Sequence, residues 1–344
     1  MESQTKEEID LKFLMPLKGV MAIIIIMHHY IAQIPYHYSG ILGLITDVGY
    51  LPVGFYYFAS GMLFVVAYYE KIVNGTYSLV GFMKRRLKKI YPPYLLTLLV
   101  ISVIMLLDVK MRGMISIKTF VYNLFLLQGG ILQDVCSING VAWFLTPLIL
   151  CDIIAFLISK LGKKDYAILL SGCMALLGII ILDSQLWHFP VFNTTMARGY
   201  VGFFCGMLFG FCLGGVQRAA KSRWCALAAW FLLGIFLMEI RTREKIGLAI
   251  NITLIAVPVM LMLIFRYKWL KRLICNPVFD FLGSISYSLY LWHYPLLMAF
   301  VCALDNFHIN VMFSNWIIIG LYSVLVIGIS YFSTYFFKRI EKKY

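Results

Sequence analysis

The chain has 344 residues, of which 62% are hydrophobic and only 13% are charged. A soluble domain is typically ~45–50% apolar and ~25% charged, so this composition excludes a water-soluble enzyme and a disordered protein. The 30 basic and 16 acidic residues give a net charge of +14, which in a soluble protein would indicate nucleic-acid binding. In so apolar a chain the composition predicts an integral membrane protein with no nucleic-acid partner. The question is then on which side of the membrane the charges lie.

Ten apolar runs are candidate membrane spans, since a helix needs about 20 residues to cross ~30 Å of hydrocarbon. They lie at 17–36, 49–69, 90–107, 142–159, 166–182, 197–215, 224–240, 246–265, 281–303 and 314–337. No small-residue cleavage pattern follows the first run, which favours a retained span over a signal peptide. An eleventh run, 119–128, has about half the required length and is predicted to be a re-entrant or surface segment on the outer side.

The basic residues decide the orientation. The loop 81–89 carries five of them, and the positive-inside rule places it in the cytoplasm. With ten spans, 23 of the 30 basic residues fall on the cytoplasmic side, and this asymmetry would be lost if 119–128 crossed the membrane. The sequence therefore predicts an all-α polytopic membrane protein with ten transmembrane helices and both termini cytoplasmic. Residues 1–11 would form a cytoplasmic N-terminal tail.

The eight cysteines form no C-x-x-C pair, and most lie within apolar runs. We expect them to behave as small hydrophobic residues rather than as disulfide partners or metal ligands. No sequence cluster of histidines and carboxylates indicates a metal site either.

Ionisable residues inside a span are costly and are candidates for function. In the first span, Lys18 precedes His29 by 11 residues, which on an α-helix is about 20° past three full turns. The two side chains therefore share a face, roughly 16 Å apart along the axis, whereas His28 points about 100° away. The alternative is that Lys18 is an anchor whose ammonium reaches the interface, and that the histidines hydrogen-bond a neighbouring helix.

Four further features each allow a structural and a functional interpretation. The five cations within 82–94 fit topological anchoring and attraction to anionic lipid, or a cradle for a phosphorylated ligand. His293 lies near the middle of its predicted span and could bond across helices or serve a reaction. The aromatic and small residues of 53–62 favour close helix packing. Arg198 could be an interfacial anchor or a ligand contact.

Five segments, taken in chain order, resemble the motifs of the acyltransferase-3 family of bacterial membrane O-acyltransferases. They are Lys18-x10-His29; Phe55-Tyr56-Tyr57-Phe58-Ala59-Ser60-Gly61; Arg86-Leu87-Lys88-Lys89-Ile90-Tyr91-Pro92; Trp143-Phe144-Leu145; and Ser286-Tyr287-Ser288-Leu289-Tyr290-Leu291-Trp292-His293-Tyr294-Pro295. The resemblance covers residues 12 to about 340. It implies a single acyltransferase-3-like transmembrane domain over 12–340.

The chain departs from the family pattern in three places. Lys18 and Lys89 stand where the family has arginine, which keeps the charge and loses the bidentate fork. Thr146-Pro147-Leu148 follow the tryptophan motif where many members carry acidic residues. This suggests the shorter branch that lacks a fused outer esterase-like domain.

The resemblance implies a membrane O-acyltransferase of the bacterial plasma membrane. Its donor would be acetyl-CoA or another acyl-CoA, used as a co-substrate with no permanently bound cofactor. Its acceptor would be a hydroxyl of a cell-surface glycan or lipid-linked sugar. His29 would be the general base or a transient acyl carrier, and His293 would shape the cavity or relay a proton. Lys18, Arg86 and Lys89 would hold the phosphates of the donor or polarise its carbonyl.

The resemblance also implies contacts to the acceptor, for which Arg198, Tyr57 and Ser60 are the candidates. A different class of function remains open, namely a transporter or flippase of a lipid-linked sugar or small anion, because intramembrane His and Arg also mark transport pathways. An inverted repeat or paired broken helices would favour transport. A receptor that has kept the fold and lost the activity is a third interpretation. The sequence leaves the acceptor, the acyl chain length and the oligomeric state open.

Overall fold

A computed structural model describes residues 10–32, 40–108, 111–131, 136–184, 189–239, 247, 250–306 and 315–341. This part of the chain is helical, apart from turns, loops and one isolated bridge between Phe189 and Phe192. Its α-helices, some with a π turn, are α1 Leu14–Ile31, α2 Gly40–Asp47, α3 Leu51–Val73, α4 Leu79–Leu107, α5 Ile117–Leu124, α6 Leu145–Lys160, α7 Lys164–Ser184, α8 Thr194–Phe211, α9 Leu213–Ala220, α10 Arg223–Glu239, α11 Ile252–Arg266, α12 Lys268–Ile274, α13 Pro277–Ser284, α14 Ser286–Asn306 and α15 Trp316–Glu341.

Every predicted span corresponds to a helix or to a bent pair of helices. Among the described residues, seven helices are long and apolar enough to cross a membrane, or nine if the two bent pairs each count as one span. The bent pairs are α8–α9, at 73°, and α11–α12, at 108°. The remaining predicted span is α10, which has only 17 residues. The chain is thus a multi-pass helical membrane protein, whereas the count of ten spans and the cytoplasmic termini stay predictions.

Helix ends rich in cations lie together at one end of the bundle, called here the basic end. The start of α4 and the end of α15 meet there, because Lys88, Lys338 and Arg339 line the same pocket. The ends of α3 and α8 also meet, with the rings of Tyr69 and Phe211 4.9 Å apart. This arrangement agrees with the charge asymmetry on which the predicted topology rests.

Glycines allow two pairs of helices to approach closely. At the crossing of α3 and α8, a Cβ added to Gly61 would lie 1.8 Å from the carbonyl oxygen of Phe203, and one added to Gly206 would lie 2.0 Å from that of Phe58. Between α1 and α13, a Cβ on Gly283 would lie 1.9 Å from the carbonyl oxygen of Met15. Small residues at such crossings are the usual way in which membrane helices pack backbone to backbone.

The predicted half-length run 119–128 begins in the short helix α5 and does not form a span. The end of α5 reaches the middle of α4, because Tyr91 and Tyr94 donate hydrogen bonds of 2.7 Å to the carbonyl oxygens of Leu124 and Asn123. We call residues 116–131 and 136–144 the re-entrant segment, since the chain enters the bundle there and continues into α6 without crossing.

Side chains satisfy the irregular backbone of the re-entrant segment. The hydroxyl of Thr146 donates to the carbonyl oxygen of Leu126 (2.8 Å) and accepts from the amide of Gly129 (3.0 Å). Gln128, which is fully buried, donates through Nε2 to the carbonyl oxygen of Ala142 (3.1 Å). Non-helical backbone is tolerated at membrane depth only where such partners exist, so these bonds allow the segment to lie inside the bundle.

Candidate active site

Helix α1 carries two of the predicted site residues on one face. Lys18 lies near its start at the basic end, and His29 lies in its last turn. The backbone of this helix is held against α3, because the hydroxyl of Tyr56 donates a hydrogen bond of 2.8 Å to the carbonyl oxygen of Lys18. The rise of an α-helix separates the two side chains by roughly 16 Å along the axis, as the sequence predicts.

The structure brings His29 and His293 together. Their ring centroids are 5.2 Å apart with an angle of 32° between the ring planes. His293 is fully buried, whereas His29 is partly exposed. The ring of Tyr294 stands 6.2 Å from that of His29. Two imidazoles from helices α1 and α14 thus lie side by side inside the bundle, and we call them the histidine pair.

One ring nitrogen of His293 is oriented by its own helix. Its Nδ1 lies 3.1 Å from the carbonyl oxygen of Leu289, one turn earlier in α14. Its Nε2 is buried and has no hydrogen-bond partner among the described residues. A buried polar atom without a partner is costly, and such atoms are found where a ligand or a water completes the bond. The same described residues contain no group of three His, Cys, Asp or Glu side chains that could hold a metal.

A proline beside the histidine pair ties the re-entrant segment to the site. Pro295 has no N–H, so the carbonyl oxygen of Leu291 loses its usual helical partner. Asn139 of the re-entrant segment replaces it and donates through Nδ2 to that oxygen at 3.1 Å. The next residue, Gly140, packs so closely that a Cβ would lie 2.6 Å from the ring of Tyr294. The re-entrant segment therefore packs directly beside the histidine pair.

The structure places the three predicted donor-binding cations in two different environments. Arg86 makes a bidentate ion pair with Asp152 of α6, with Nε–Oδ2 at 2.7 Å and NH2–Oδ1 at 3.1 Å. The charge of Arg86 also acts on Lys18, which places both cations at the same mouth of the bundle. Lys89 is exposed and does not join this cluster. Lys18, Arg86 and Asp152 together carry one net positive charge, which suits an anionic ligand.

Asp152 is the functional candidate that the sequence reasoning missed. It lies within the apolar run 142–159 and is fully buried. A lone carboxylate in such a run is expensive and calls for a cationic partner, so it could have been found by the same criterion that singled out His29. The motif resemblance gave no reason to look there, because Asp152 lies outside the five matching segments.

An aromatic layer separates the cationic mouth from the histidine pair. The rings of Tyr56 and Tyr290 are 6.3 Å apart, and both pack against Phe144. Tyr290 also lies 6.0 Å from His293 and donates its hydroxyl to the carbonyl oxygen of Val141 in the re-entrant segment. Tyrosines from α3 and α14 therefore lie between the two polar clusters.

The three predicted acceptor contacts do not form one group. Arg198 lies at the start of α8, away from the basic end, with its guanidinium over the rings of Tyr50 (5.4 Å) and Trp143 (5.9 Å). Its Nε is buried and has no hydrogen-bond partner among the described residues. Tyr57 lines the same small pocket and donates its hydroxyl to a backbone carbonyl at 3.1 Å. Ser60, one turn further along α3, is half-buried and outside that pocket.

Comparison with known proteins identifies a family. Residues 12–335 match the sequence model of the acyltransferase-3 family, described as an acyltransferase domain. No curated protein and no solved structure matches the chain. The matched range covers nearly the whole chain and includes the histidine pair, the Arg86–Asp152 ion pair and Arg198.

Proposed function

Because the chain belongs to the acyltransferase-3 family, we propose that it is a membrane O-acyltransferase, with acetyl-CoA as the first donor to test. The acyl-CoA would bind at the basic end, taken as cytosolic. The acceptor would be a hydroxyl of a cell-surface glycan or lipid-linked sugar, and the membrane would be the bacterial plasma membrane. The observation that carries the proposal is the histidine pair, in which two imidazoles lie 5.2 Å apart inside a membrane bundle that has a cationic mouth.

In the proposed reaction His29 acts as the general base. It takes the proton of the acceptor hydroxyl while that oxygen attacks the thioester carbonyl, and a new C–O ester bond forms. The C–S bond breaks, and the proton passes from the imidazole to the departing thiolate of CoA. His293 contributes its unpartnered Nε2 beside His29, where it can orient His29 or the acceptor. A base placed in this way typically contributes ~10²–10⁴-fold to the rate.

The cationic mouth would hold the donor. Lys18 and Arg86 both lie at this mouth. Acyl-CoA carries phosphates at one end of a long flexible arm and its thioester at the other end. Roughly 16 Å of helix rise separates Lys18 from His29, a distance that such an arm must bridge. Asp152 holds the guanidinium of Arg86 in one orientation, which leaves Lys18 as the cation with the freer ammonium. Lys89 would attract the donor from the exposed surface.

On the outer side, we propose that Arg198 contacts the acceptor. Its guanidinium is fixed by two aromatic rings and its Nε lacks a partner among the described residues. Tyr57 would shape this pocket through its ring, since its hydroxyl is engaged with backbone. Ser60 would act only through the spacing of α3 against its neighbours.

The test uses purified protein in detergent, with acetyl-CoA labelled on its acetyl group. The wild type should release free CoA when a hydroxyl acceptor is supplied. His29→Ala should reduce this rate at least ~100-fold without changing the elution profile of the folded protein. His28→Ala is the matched comparison, since it removes the neighbouring imidazole from the other side of α1. A His28→Ala variant that loses as much activity as His29→Ala would overturn the assignment.

The same assay separates a base from an acyl carrier. If His29 carries the acyl group, protein incubated without acceptor should retain label that hydroxylamine removes, and His29→Ala should retain none. If His29 is a base, no label should stay on the protein. Arg86→Ala should raise the KM for acetyl-CoA more than it lowers kcat, and an unchanged KM would refute the donor role of Arg86.

Transport is the second candidate function, because the structure contains two bent helix pairs. Paired half-helices in transporters meet near the middle of the membrane. Here the bends fall at Cys212 and Tyr267, near Arg218 and Arg266, which the charge count assigns to the cytoplasmic side and not to the middle of the membrane. This position favours the enzyme. A transporter would move a lipid-linked sugar or anion across vesicles and would release no CoA.

A further inference from the structure

A groove on the outside of the bundle takes no part in the proposed reaction. It runs between α4 and α6, and the re-entrant segment forms its floor. Its lining is mainly apolar and includes Met83, Leu87, Leu127, Ile149 and Ile153. We call it the α4–α6 groove.

The groove lies on the opposite face of α4 from the donor-binding cation. At 100° per residue, Lys84 and Lys88 each point about 160° away from Arg86 around the helix. Both lysines line the groove, while Arg86 turns inward to Asp152. Its occupant is therefore a separate question from the binding of acyl-CoA.

Two cations of α4 border the groove. Lys84 and Lys88 are exposed and stand four residues apart on one helix face, where like charges repel. Lys88 also lines a second pocket, which is completed by Lys338, Arg339, Tyr335 and Glu341 of α15. Four cations and one carboxylate thus lie along the α4 side of an otherwise apolar groove, and an anion placed between Lys88 and α15 would relieve the repulsion.

The dimensions match one leaflet of a bilayer. From Lys84 the groove follows α4 as far as Pro92, which is about 12 Å of helix. Half of a ~30 Å hydrocarbon core is about 15 Å. A hydrocarbon chain of one leaflet can therefore lie along the groove while its headgroup stays level with the lysines.

We propose that the α4–α6 groove binds an anionic phospholipid from the leaflet at the basic end. Its phosphate lies between the Lys84–Lys88 pair and the cations of α15, and a hydrocarbon chain covers the apolar floor. The bound chain packs on Phe125 and Leu127, and so holds the re-entrant segment in place from the lipid side. This inference goes beyond acyl transfer and does not depend on it.

The experiment uses full-length protein in phosphatidylcholine nanodiscs that contain a trace of photoactivatable lipid. The probe is phosphatidylglycerol with a diazirine in its acyl chain, compared with phosphatidylcholine carrying the same chain, and labelled peptides are identified by mass spectrometry. We expect phosphatidylglycerol to label peptides from 79–92, 124–131 and 146–153 in preference to phosphatidylcholine. Lys84→Gln/Lys88→Gln should reduce this preference about 30-fold, as expected for two cations facing an anionic headgroup.

Two matched controls separate a site from general lipid contact. Lys163→Gln/Lys164→Gln removes the same charge at the same end of the bundle, away from the groove, and should leave the labelling unchanged. Ile149→Trp should fill the groove and reduce labelling by both lipids, whereas Leu176→Trp, at an exposed position of α7, should not. Equal labelling by the two lipids, absence of label from the groove, or an equal loss in the Lys163/Lys164 control would each overturn the proposal.

Discussion

The ion pair between Arg86 and Asp152 gives the sharpest test of the architecture at the cationic mouth. Asp152 has no exposed side-chain surface and Arg86 retains 27%. Removing one partner of a buried ion pair typically costs ~3–5 kcal/mol, because the other charge remains buried and unpaired. Since the Arg86 side chain keeps some exposure, we expect Asp152→Leu to lower the free energy of unfolding by about 3 kcal/mol, the lower limit of that range. Arg86→Met leaves the fully buried carboxylate and should cost about 4 kcal/mol.

The double variant distinguishes pairing from simple packing. Arg86→Met/Asp152→Leu replaces both charges with apolar groups, which is often close to neutral, so we expect a loss of about 1 kcal/mol or less. The measurement is unfolding in mixed micelles followed by circular dichroism, with Asp183→Asn on the exposed face of α7 as the control for loss of one carboxylate. If the two single losses simply add in the double variant, the interaction energy is zero and the reasoning is wrong.

Three further outcomes follow from contacts elsewhere in the bundle. Gly61→Ala must separate α3 from α8 by about 1.5 Å to restore an ordinary C···O contact, so it should lower the stability by ~1–3 kcal/mol. Gly172→Ala is the control, because a Cβ there meets no atom within 4 Å and should not lower the stability. Equal melting temperatures of the two variants would contradict this. Thr146→Val leaves two backbone groups of the re-entrant segment unpaired and should cost ~1–3 kcal/mol, with faster proteolysis of that segment as a second readout. The hydrogen bond from Lys271 at 2.5 Å lowers the pKa of the Asp10 carboxyl in the folded protein. This exposed contact therefore stabilises the fold above the unfolded pKa of about 3.9. The stabilisation is lost as the pH falls through the lower pKa of the folded state. Asp10→Asn should therefore cost less than ~1 kcal/mol near pH 7 and nothing at low pH, and a cost that grows on acidification would be inconsistent with the contact.

Helical periodicity and charge counting predicted the features that depend on one element at a time. The shared face of Lys18 and His29 follows from 3.6 residues per turn, and the helix α1 confirms it. The failure of run 119–128 to form a span followed from its length and from the charge asymmetry. Each predicted span has a helix because twenty apolar residues in a membrane have few other structures available.

Contacts between two helices could not be predicted from the sequence. Nothing in the spacing of His29 and His293 shows that α1 and α14 are neighbours, so their contact had to come from the three-dimensional structure. The partner of Arg86 was missed for the same reason, although a carboxylate within an apolar run was a visible signal. The role of Asn139 could not be predicted either. The carbonyl to which it donates lacks a helical partner only because Pro295, on a helix far along the chain, has no N–H.

The close approach of α1 and α13 has a geometric consequence for the histidine pair. Gly19 and Gly283 mark the level at which the two backbones touch, and His29 and His293 each follow ten residues later. His29 lies ten residues further along the same helix α1, an advance of about 15 Å, whereas His293 lies in α14, which follows α13 after the break at Ile285. The close contact at these glycines therefore helps to set the distance between α1 and the α13–α14 unit, and with it the distance between the two imidazoles. A methyl group added at Gly19 would move the reacting groups apart without touching either of them.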